Sequence, residues 1–231
     1  MEKIKLLFVE DDPYFSYIVK GSLELKGTYE VCTALNGKEG LEAYASFVPD
    51  IIVADIEMPV MSGLQMVEII RQKDGDIPIM FATGHTDPQD VVEGYKLNVD
   101  NFIKKPYNPD ELDGHIQAIL RRLKKRKIAE NNAKDVFLGE YIFNANAKTL
   151  RWRDTKQKLT LREADILYIL YENKGEVVKR DIILKKLWGT SDYFSSRSLD
   201  VFINKLRKYL SQDSTIEIET FSKKGYRLTL R

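Results

Sequence analysis

Short apolar runs punctuate the first hundred residues at regular intervals. They are "IKLLFV" (4–9), "YEVCTA" (29–34), "DIIVA" (50–54), "IPIMFAT" (77–83) and "NFIK" (101–104). Their length and β-branched content predict strands. Between them apolar residues recur at helical spacing, as in Phe15, Ile18, Val19 and Leu23, or Leu64, Val67, Ile69 and Ile70. A further helix is predicted from Pro109, turning Leu112, Ile116, Ile119, Leu120 and Leu123 inward. Strand–helix alternation repeated five times predicts an α/β doubly wound fold, a five-stranded parallel sheet with helices on both faces.

The pattern changes after residue 120. "RRLKKRKIAENNAKD" (121–135) is polar and basic and reads as a helix overrunning into a linker. Beyond it, "VFLGEYIF", "KTLRW" and "QKLTL" are separated by turn residues and predict a small antiparallel sheet. "LTLREADILYILYENKG" follows, with a cap at Thr160, Glu163 three residues on and a stop at Gly175. Ala164, Ile166, Leu167, Ile169 and Leu170 form its buried stripe. "KRDIILKKLWG" predicts a second, shorter helix ending at Gly189. In "SRSLDVFINKLRKYL", Leu199, Ile203, Leu206 and Leu210 face a core, leaving Ser198, Val201, Asn204, Lys205 and Lys208 largely on the other side. "TIEIETFSKKGYRLTL" then predicts a hairpin with Lys223, Lys224 and Gly225 at its tip. Three helices and a basic hairpin predict a C-terminal α+β winged-helix domain, whose third helix suits a major groove.

Charge sharpens this division. Residues 1–120 carry 10 Lys and Arg against 21 Asp and Glu, residues 121–135 carry 7 against 2, and residues 136–231 carry 19 against 12. The overall +1 thus joins an acidic half to a basic one, and the basic half suits a nucleic-acid partner. One cysteine, Cys32, excludes an intrachain disulfide framework. No apolar run has membrane-spanning length, and "MEKIKLLFVEDD" lacks the form of a signal peptide, so a cytoplasmic protein with no membrane partner is expected.

In a doubly wound sheet the ligand crevice lies beyond the carboxyl ends of the strands. Glu10, Asp11 and Asp12 follow the first strand, Asp55 the third, Thr83 the fourth and Lys105-Pro106 the fifth. Clustered carboxylates are best tolerated around a cation, and their hard oxygens suit Mg²⁺. A carboxylate nucleophile, a hydroxyl and a lysine beside such a cation fit phosphoryl transfer. No P-loop is present, since "NGKEG" (36–40) lacks its length and residues.

"LLFVEDD", "IIVADIEMPVMSG", "IMFATG" and "NFIKKPYNPDEL" together resemble the receiver domain of bacterial response regulators, over roughly residues 3–123. The resemblance implies that a histidine kinase donates a phosphoryl group to Asp55. It assigns Mg²⁺ to Glu10, Asp11, Asp55 and the backbone carbonyl of Glu57. It makes Thr83 and Lys105 sensors of the phosphoryl group, and Phe102 the aromatic that moves inward on activation, where tyrosine is more usual. Glu57 and His85 fall where receivers tune the lifetime of the acyl phosphate.

The order of receiver, linker and winged helix resembles the OmpR/PhoB family of transcription factors, and "SRSLDVFINKLRKYL" and "KKGYRL" carry the likeness into the second half. By that resemblance the receiver covers 1–123, the linker 124–135 and the winged helix 136–231. Arg197, Ser198, Val201, Asn204, Lys205 and Arg207 match recognition-helix positions, and Thr220, Lys223 and Lys224 belong to the wing. Ser222 stands where the family usually has a wing arginine. The loop Thr190–Ser196 matches a segment that contacts RNA polymerase. A homodimer is implied on phosphorylation, through the face of the receiver's fourth helix, fifth strand and fifth helix. Asp100, Arg121 and Arg122 match its charges, while Val91 and His115 replace common basic residues. Such a protein is not an enzyme. The rival readings are a phosphatase with an aspartyl-phosphate intermediate, for which Glu57 only loosely supplies the second acid, and a DNA-binding regulator independent of phosphorylation.

Overall fold

The computed structural model describes residues 3–84, 93–94, 97–129, 135–188, 193–222 and 224–231, with the side chains of 122, 124–129 and 193–195 outside that description. The chain divides into two compact units, Met1–Leu120 and Arg121–Arg231.

In the first unit, β1 (Ile4–Val9), β2 (Tyr29–Ala34), β3 (Ile51–Ala54), β4 (Ile79–Thr83) and β5 (Asn101–Lys104) form one parallel sheet in the order β2-β1-β3-β4-β5. Helices α1 (Pro13–Leu25), α2 (Gly37–Phe47) and α3 (Gly63–Lys73) connect the strands, and α4 starts after β5 at Pro109 and runs to Ala129. The connection between β4 and β5, where another helix is expected, is described only at residues 84, 93–94 and 97–100. Every residue of β3 is buried, as a strand covered on both faces must be. Register levels the strand ends: Val9 pairs with both Ala34 and Ala54, Ala54 with Phe81, and Thr83 with Lys104. The residues that follow each strand therefore share one edge.

Helix starts are set by side chains. Asp12 accepts the Tyr14 and Phe15 N–H groups at 2.9 and 3.0 Å with Pro13 entering α1, Asn36 caps α2, and Ser62 with Gln65 closes a capping box on α3. Two details differ from expectation. The fourth strand begins at Ile79 because Pro78 has no N–H to give the ladder, though its carbonyl accepts Ile52 N–H at 3.0 Å. The buried side of α1 is Ser16, Val19 and Leu23, leaving Ile18 more than a third exposed.

In the second unit, β6 (Val136–Leu138), β7 (Tyr141–Asn144), β8 (Thr149–Trp152) and β9 (Thr155–Lys158) form an antiparallel meander. The run "VFLGEYIF" is thus two strands and not one. Gly139, at φ +54, turns the chain between them against the Asp213 carboxylate, which accepts Glu140 N–H at 2.7 Å. Helices α5 (Leu161–Glu172), α6 (Arg180–Trp188) and α7 (Tyr193–Tyr209) follow, then the hairpin β11 (Ile216–Phe221) and β12 (Gly225–Leu230). The expected capping box of Thr160 and Glu163 is formed, and all five residues of the expected α5 stripe are buried. A two-residue strand, β10 (Val178–Lys179), pairs with β12 and completes a winged helix. No described helix is long and apolar enough to cross a membrane.

Five non-glycine residues among those described have positive φ: Val48, Val60, Asn98, Lys148 and Arg153. Val60 sits at φ +70 in a γ-turn closed by Met61 N–H to the Pro59 carbonyl at 2.8 Å, and its side chain is 80% exposed. A β-branched residue there costs conformational energy with little packing in return. Val60→Gly should raise unfolding stability by about 1 kcal/mol in urea titrations, after allowing for glycine's greater chain entropy.

Candidate functional site

The sheet order reverses between β1 and β3, and a pocket of charge lies at that switch point. Asp55 follows β3, where its N–H is held by the Val9 carbonyl at 2.9 Å and its side chain is largely buried. Its Oδ1 accepts the N–H groups of Ile56 at 2.6 Å and Glu57 at 3.3 Å. Its Oδ2 lies 2.5 Å from the Lys105 ammonium. The same ammonium is 2.7 Å from Glu10 Oε1 and 2.6 Å from Oε2, and it lies 5.6 Å over the Phe15 ring. One carboxylate oxygen each from Glu10, Asp11 and Asp55 lie within 4.8 Å of one another. Asp12, the fourth acid, is occupied in capping α1.

Electrostatics follow from this crowding. Burial pushes the Glu10 carboxyl above its usual range, and the Asp55 and Asp11 charges add to that, against the opposing pull of Lys105. Burial alone would weaken the Lys105 cation, but hydrogen bonds to Asp55 and Glu10 outweigh it and its pKa is raised. A single internal cation thus serves several acids. Three clustered carboxylates of hard oxygen are a donor set that fits Mg²⁺.

Thr83 closes β4, fully buried, and its carbonyl accepts Lys105 N–H at 2.9 Å. Phe102 is buried on β5, its ring 5.5 Å from that of Phe81. A side chain at Gly94 would strike both rings, at 2.6 and 3.0 Å. Gly63 is equally constrained: its N–H reaches the Ile56 carbonyl at 2.9 Å, and a Cβ there would come within 2.0 Å of the Asp55 carbonyl oxygen. Gly63 is thus the floor beneath Asp55.

The second unit offers a different surface. On α7 the buried stripe is Ser198, Leu199, Phe202, Ile203, Leu206 and Leu210. Ser198 was expected on the outer face, but it precedes Phe202 and Leu206 by four and eight residues and so lies on the core side. Arg197, Asn204 and Lys208 are exposed and Val201 half-buried. Lys205 is also less open than expected. Burial lowers its pKa, Glu163 at 3.9 Å partly offsets that, and its ammonium lies 5.8 Å from the Phe202 ring.

Arg207 turns toward the hairpin. Its Nε and Nη2 donate to the Ile218 carbonyl at 2.9 and 2.6 Å, and Nη2 donates to Thr220 Oγ1 at 2.7 Å. Near the middle of α7, Asp200 accepts both Nη atoms of Arg180 at 2.8 Å and the Tyr226 hydroxyl at 2.5 Å. Burial would raise the Asp200 pKa, but Arg180 and Tyr226 more than reverse it and hold it low. Arg180 also reaches the Ser196 carbonyl, while Arg180 N–H donates to the Lys224 carbonyl at 2.9 Å. Gly225 is pressed so closely on Val178 that a Cβ would meet its carbonyl oxygen at 1.9 Å. Helix α7 and the hairpin are thus tied together at two points, through Asp200 with Tyr226 and through Arg207 with Ile218 and Thr220. The signal for these ties was absent from periodicity, because their partners are carbonyls and residues distant in sequence.

The remaining expected positions fall in varied settings. Asp100 is buried and not on an open charged face: Oδ2 accepts Ile79 N–H at 3.0 Å, bracing the start of β4. Arg121 is exposed, and the Arg122 side chain lies outside the described residues. Thr220 and Lys224 are exposed; Lys223, His85 and Val91 lie outside the described residues. His115 is half-buried, with Nδ1 2.9 Å from Asn101 Nδ2. Of the expected loop 190–196, residues 193–196 already belong to α7 and residues 190–192 are not described.

Residues 6–117 match the family model described as "Response regulator receiver domain", and residues 154–228 match "Transcriptional regulatory protein, C terminal". The chain is 36% identical over 227 residues to the transcriptional regulatory protein RprY of Bacteroides fragilis, covering 98% of this chain and 95% of that one. It is 29% identical to the alkaline phosphatase synthesis transcriptional regulatory protein PhoP of Bacillus subtilis, covering 97% and 96%. Among solved structures it resembles the response regulator DrrB, a Thermotoga maritima OmpR/PhoB homolog, at 26% identity and a TM-score of 0.50, covering 98% and 99%. With a charged pocket at the switch point of its first unit and a winged helix as its second, this is a two-component response regulator with receiver and DNA-binding domains. The chain belongs to the OmpR/PhoB-type family of these regulators.

The contact beneath Asp55 gives a direct test of its packing. Gly63→Ala must displace backbone and not merely a flexible side chain. It should cost about 1–3 kcal/mol in chemical denaturation, the range for overpacking a closed site.

Proposed function

We propose that Asp55 accepts a phosphoryl group from a histidine kinase and that this controls sequence-specific binding of double-stranded DNA by the winged helix. The observation that carries the reading is the Lys105 ammonium set between Glu10 and Asp55, with Asp11 beside them. Two N–H bonds orient the Asp55 carboxylate. One of its oxygens attacks phosphorus, the bond from phosphorus to the donor imidazole breaks, and the electron pair returns to the imidazole. Glu10, Asp11, Asp55 and the Glu57 carbonyl would hold Mg²⁺, which supplies charge neutralisation at the phosphoryl oxygens. Lys105 then exchanges its contact with Asp55 for a phosphoryl oxygen, and the Thr83 hydroxyl takes another. Because Lys105 N–H is bonded to the Thr83 carbonyl, both move with the ends of β4 and β5, and Phe102 is the next ring along β5.

By this reading the receiver covers 1–123, the linker 124–135 and the winged helix 136–231. The protein acts as a cytoplasmic phosphoacceptor and not as an enzyme turning over a substrate. Phosphorylation promotes a homodimer through the β5 side of the receiver, with Arg121 and Arg122 contributing charge and Asp100 acting from within. Arg197, Val201, Asn204, Lys224 and Lys223 meet DNA. Ser198, Lys205, Arg207 and Thr220 set the helix and wing that carry them. The segment before α7 meets RNA polymerase.

Incubation with Mg²⁺ and acetyl phosphate should add the mass of one phosphoryl group to the wild type and none to Asp55→Asn. A gain in both, or in neither, overturns the phosphoacceptor role. On DNA, Arg197→Ala should lower the slope of log affinity against log salt by about one, as the loss of one phosphate contact does. Tyr226→Phe removes no charge, so it should weaken binding while leaving that slope unchanged.

A further inference from the structure

Arg197, Val201, Asn204 and Lys208 follow one another along α7 at helical spacing and form its outward stripe, exposed except for the half-buried Val201. Asn204 differs from the others in chemistry. An amide carries both a donor and an acceptor, and when both are free it can pair with adenine through the two together. Which of them Asn204 can offer is decided by its neighbour. Arg207 is fixed on the hairpin by the Ile218 carbonyl and by Thr220 Oγ1. Its remaining Nη1 turns back to Asn204 Oδ1 at 3.3 Å. A guanidinium only donates, so the amide must present its oxygen to Arg207. The Nδ2 group, with its two N–H bonds, is left for what lies beyond the stripe.

We propose that Asn204 is a specificity-determining residue that Arg207 restricts to donating, so that it reads a keto base, guanine or thymine, in the major groove. This role rests on the reading of α7 as the helix that meets DNA. Guanine O6 and thymine O4 accept a hydrogen bond, whereas adenine N6 and cytosine N4 carry N–H donors in the corresponding places. Donor facing donor leaves both groups unmet once water is excluded. The two-bond pairing of an amide with adenine needs the oxygen that Arg207 holds. Asn204 therefore accepts a G·C or a T·A pair with the keto base on one strand and rejects both pairs reversed. Base choice on the helix is set in this way by the hairpin, because Ile218 and Thr220 fix Arg207 and Arg207 fixes the amide.

Selection from randomised duplexes tests this, with the full chain treated with Mg²⁺ and acetyl phosphate. The column read by Asn204 is the one that Asn204→Ala flattens. In the wild type that column should hold two pairs, G·C and T·A, with the keto base on the same strand. Both should exceed their reversed forms about fivefold, the worth of one hydrogen bond. Asn204→Asp can only accept, so it should reverse the orientation of both pairs. Arg207→Lys loses the fork that holds the amide, and the column should narrow to a single A·T pair. A wild-type column already fixed on one pair overturns the role of Asn204. So does an orientation that Asn204→Asp leaves unchanged, or a site in which no column responds to Asn204→Ala. The two Asn204 variants change an exposed side chain and decide the matter even if Arg207→Lys fails to fold. A wild type that enriches no sequence overturns the reading of α7 itself, and the role of Asn204 with it.

Discussion

The structure depends on one costly placement: a cluster of carboxylates at the end of an apolar strand, with a half-buried lysine as its counter-ion. Isolated charge in a poorly hydrated site is strongly unfavourable, and pairing makes it tolerable. Lys105 can serve Glu10 and Asp55 together only if β1, β3 and β5 end level. The parallel register secures this, and the fully buried β3 makes the platform stiff. Gly63 then lets α3 begin directly against the Asp55 carbonyl. Sheet order, register and one glycine converge on a single ammonium.

That arrangement makes the lysine a natural point of change. Any new negative group on Asp55 competes for the same cation, and Lys105 is linked through its own N–H to the last residue of β4. Charge added at one strand tip is therefore felt at two others. Phe102 and Phe81 pack together beside Gly94, so movement of β5 is transmitted through rings with little free space around them.

Much of this was legible in the sequence. Five apolar runs gave the strands, and the rule that crevices open at strand ends gathered Glu10, Asp11, Asp55, Thr83 and Lys105 without any coordinates. The α5 cap and stripe were readable because both are local. What escaped had a non-local cause. Ser198 and Asp100 are polar by type, but the first lies on the stripe of Phe202 and Leu206, and the second braces a backbone N–H twenty-one residues away. Arg207 bonds to a carbonyl, a partner that leaves no mark on side-chain pattern.

The double attachment of α7 to its hairpin has a consequence for how such a protein diversifies. Asp200, Arg180 and Tyr226 at one point, and Arg207 with the Ile218 carbonyl at another, fix the frame by side chains other than the exposed Arg197, Asn204 and Lys208. The side chains exposed on α7 are thus separate from those that hold it to the hairpin. Under the function proposed above, exchanging outward residues such as Arg197 and Asn204 changes the surface offered to DNA while the frame stays as it is.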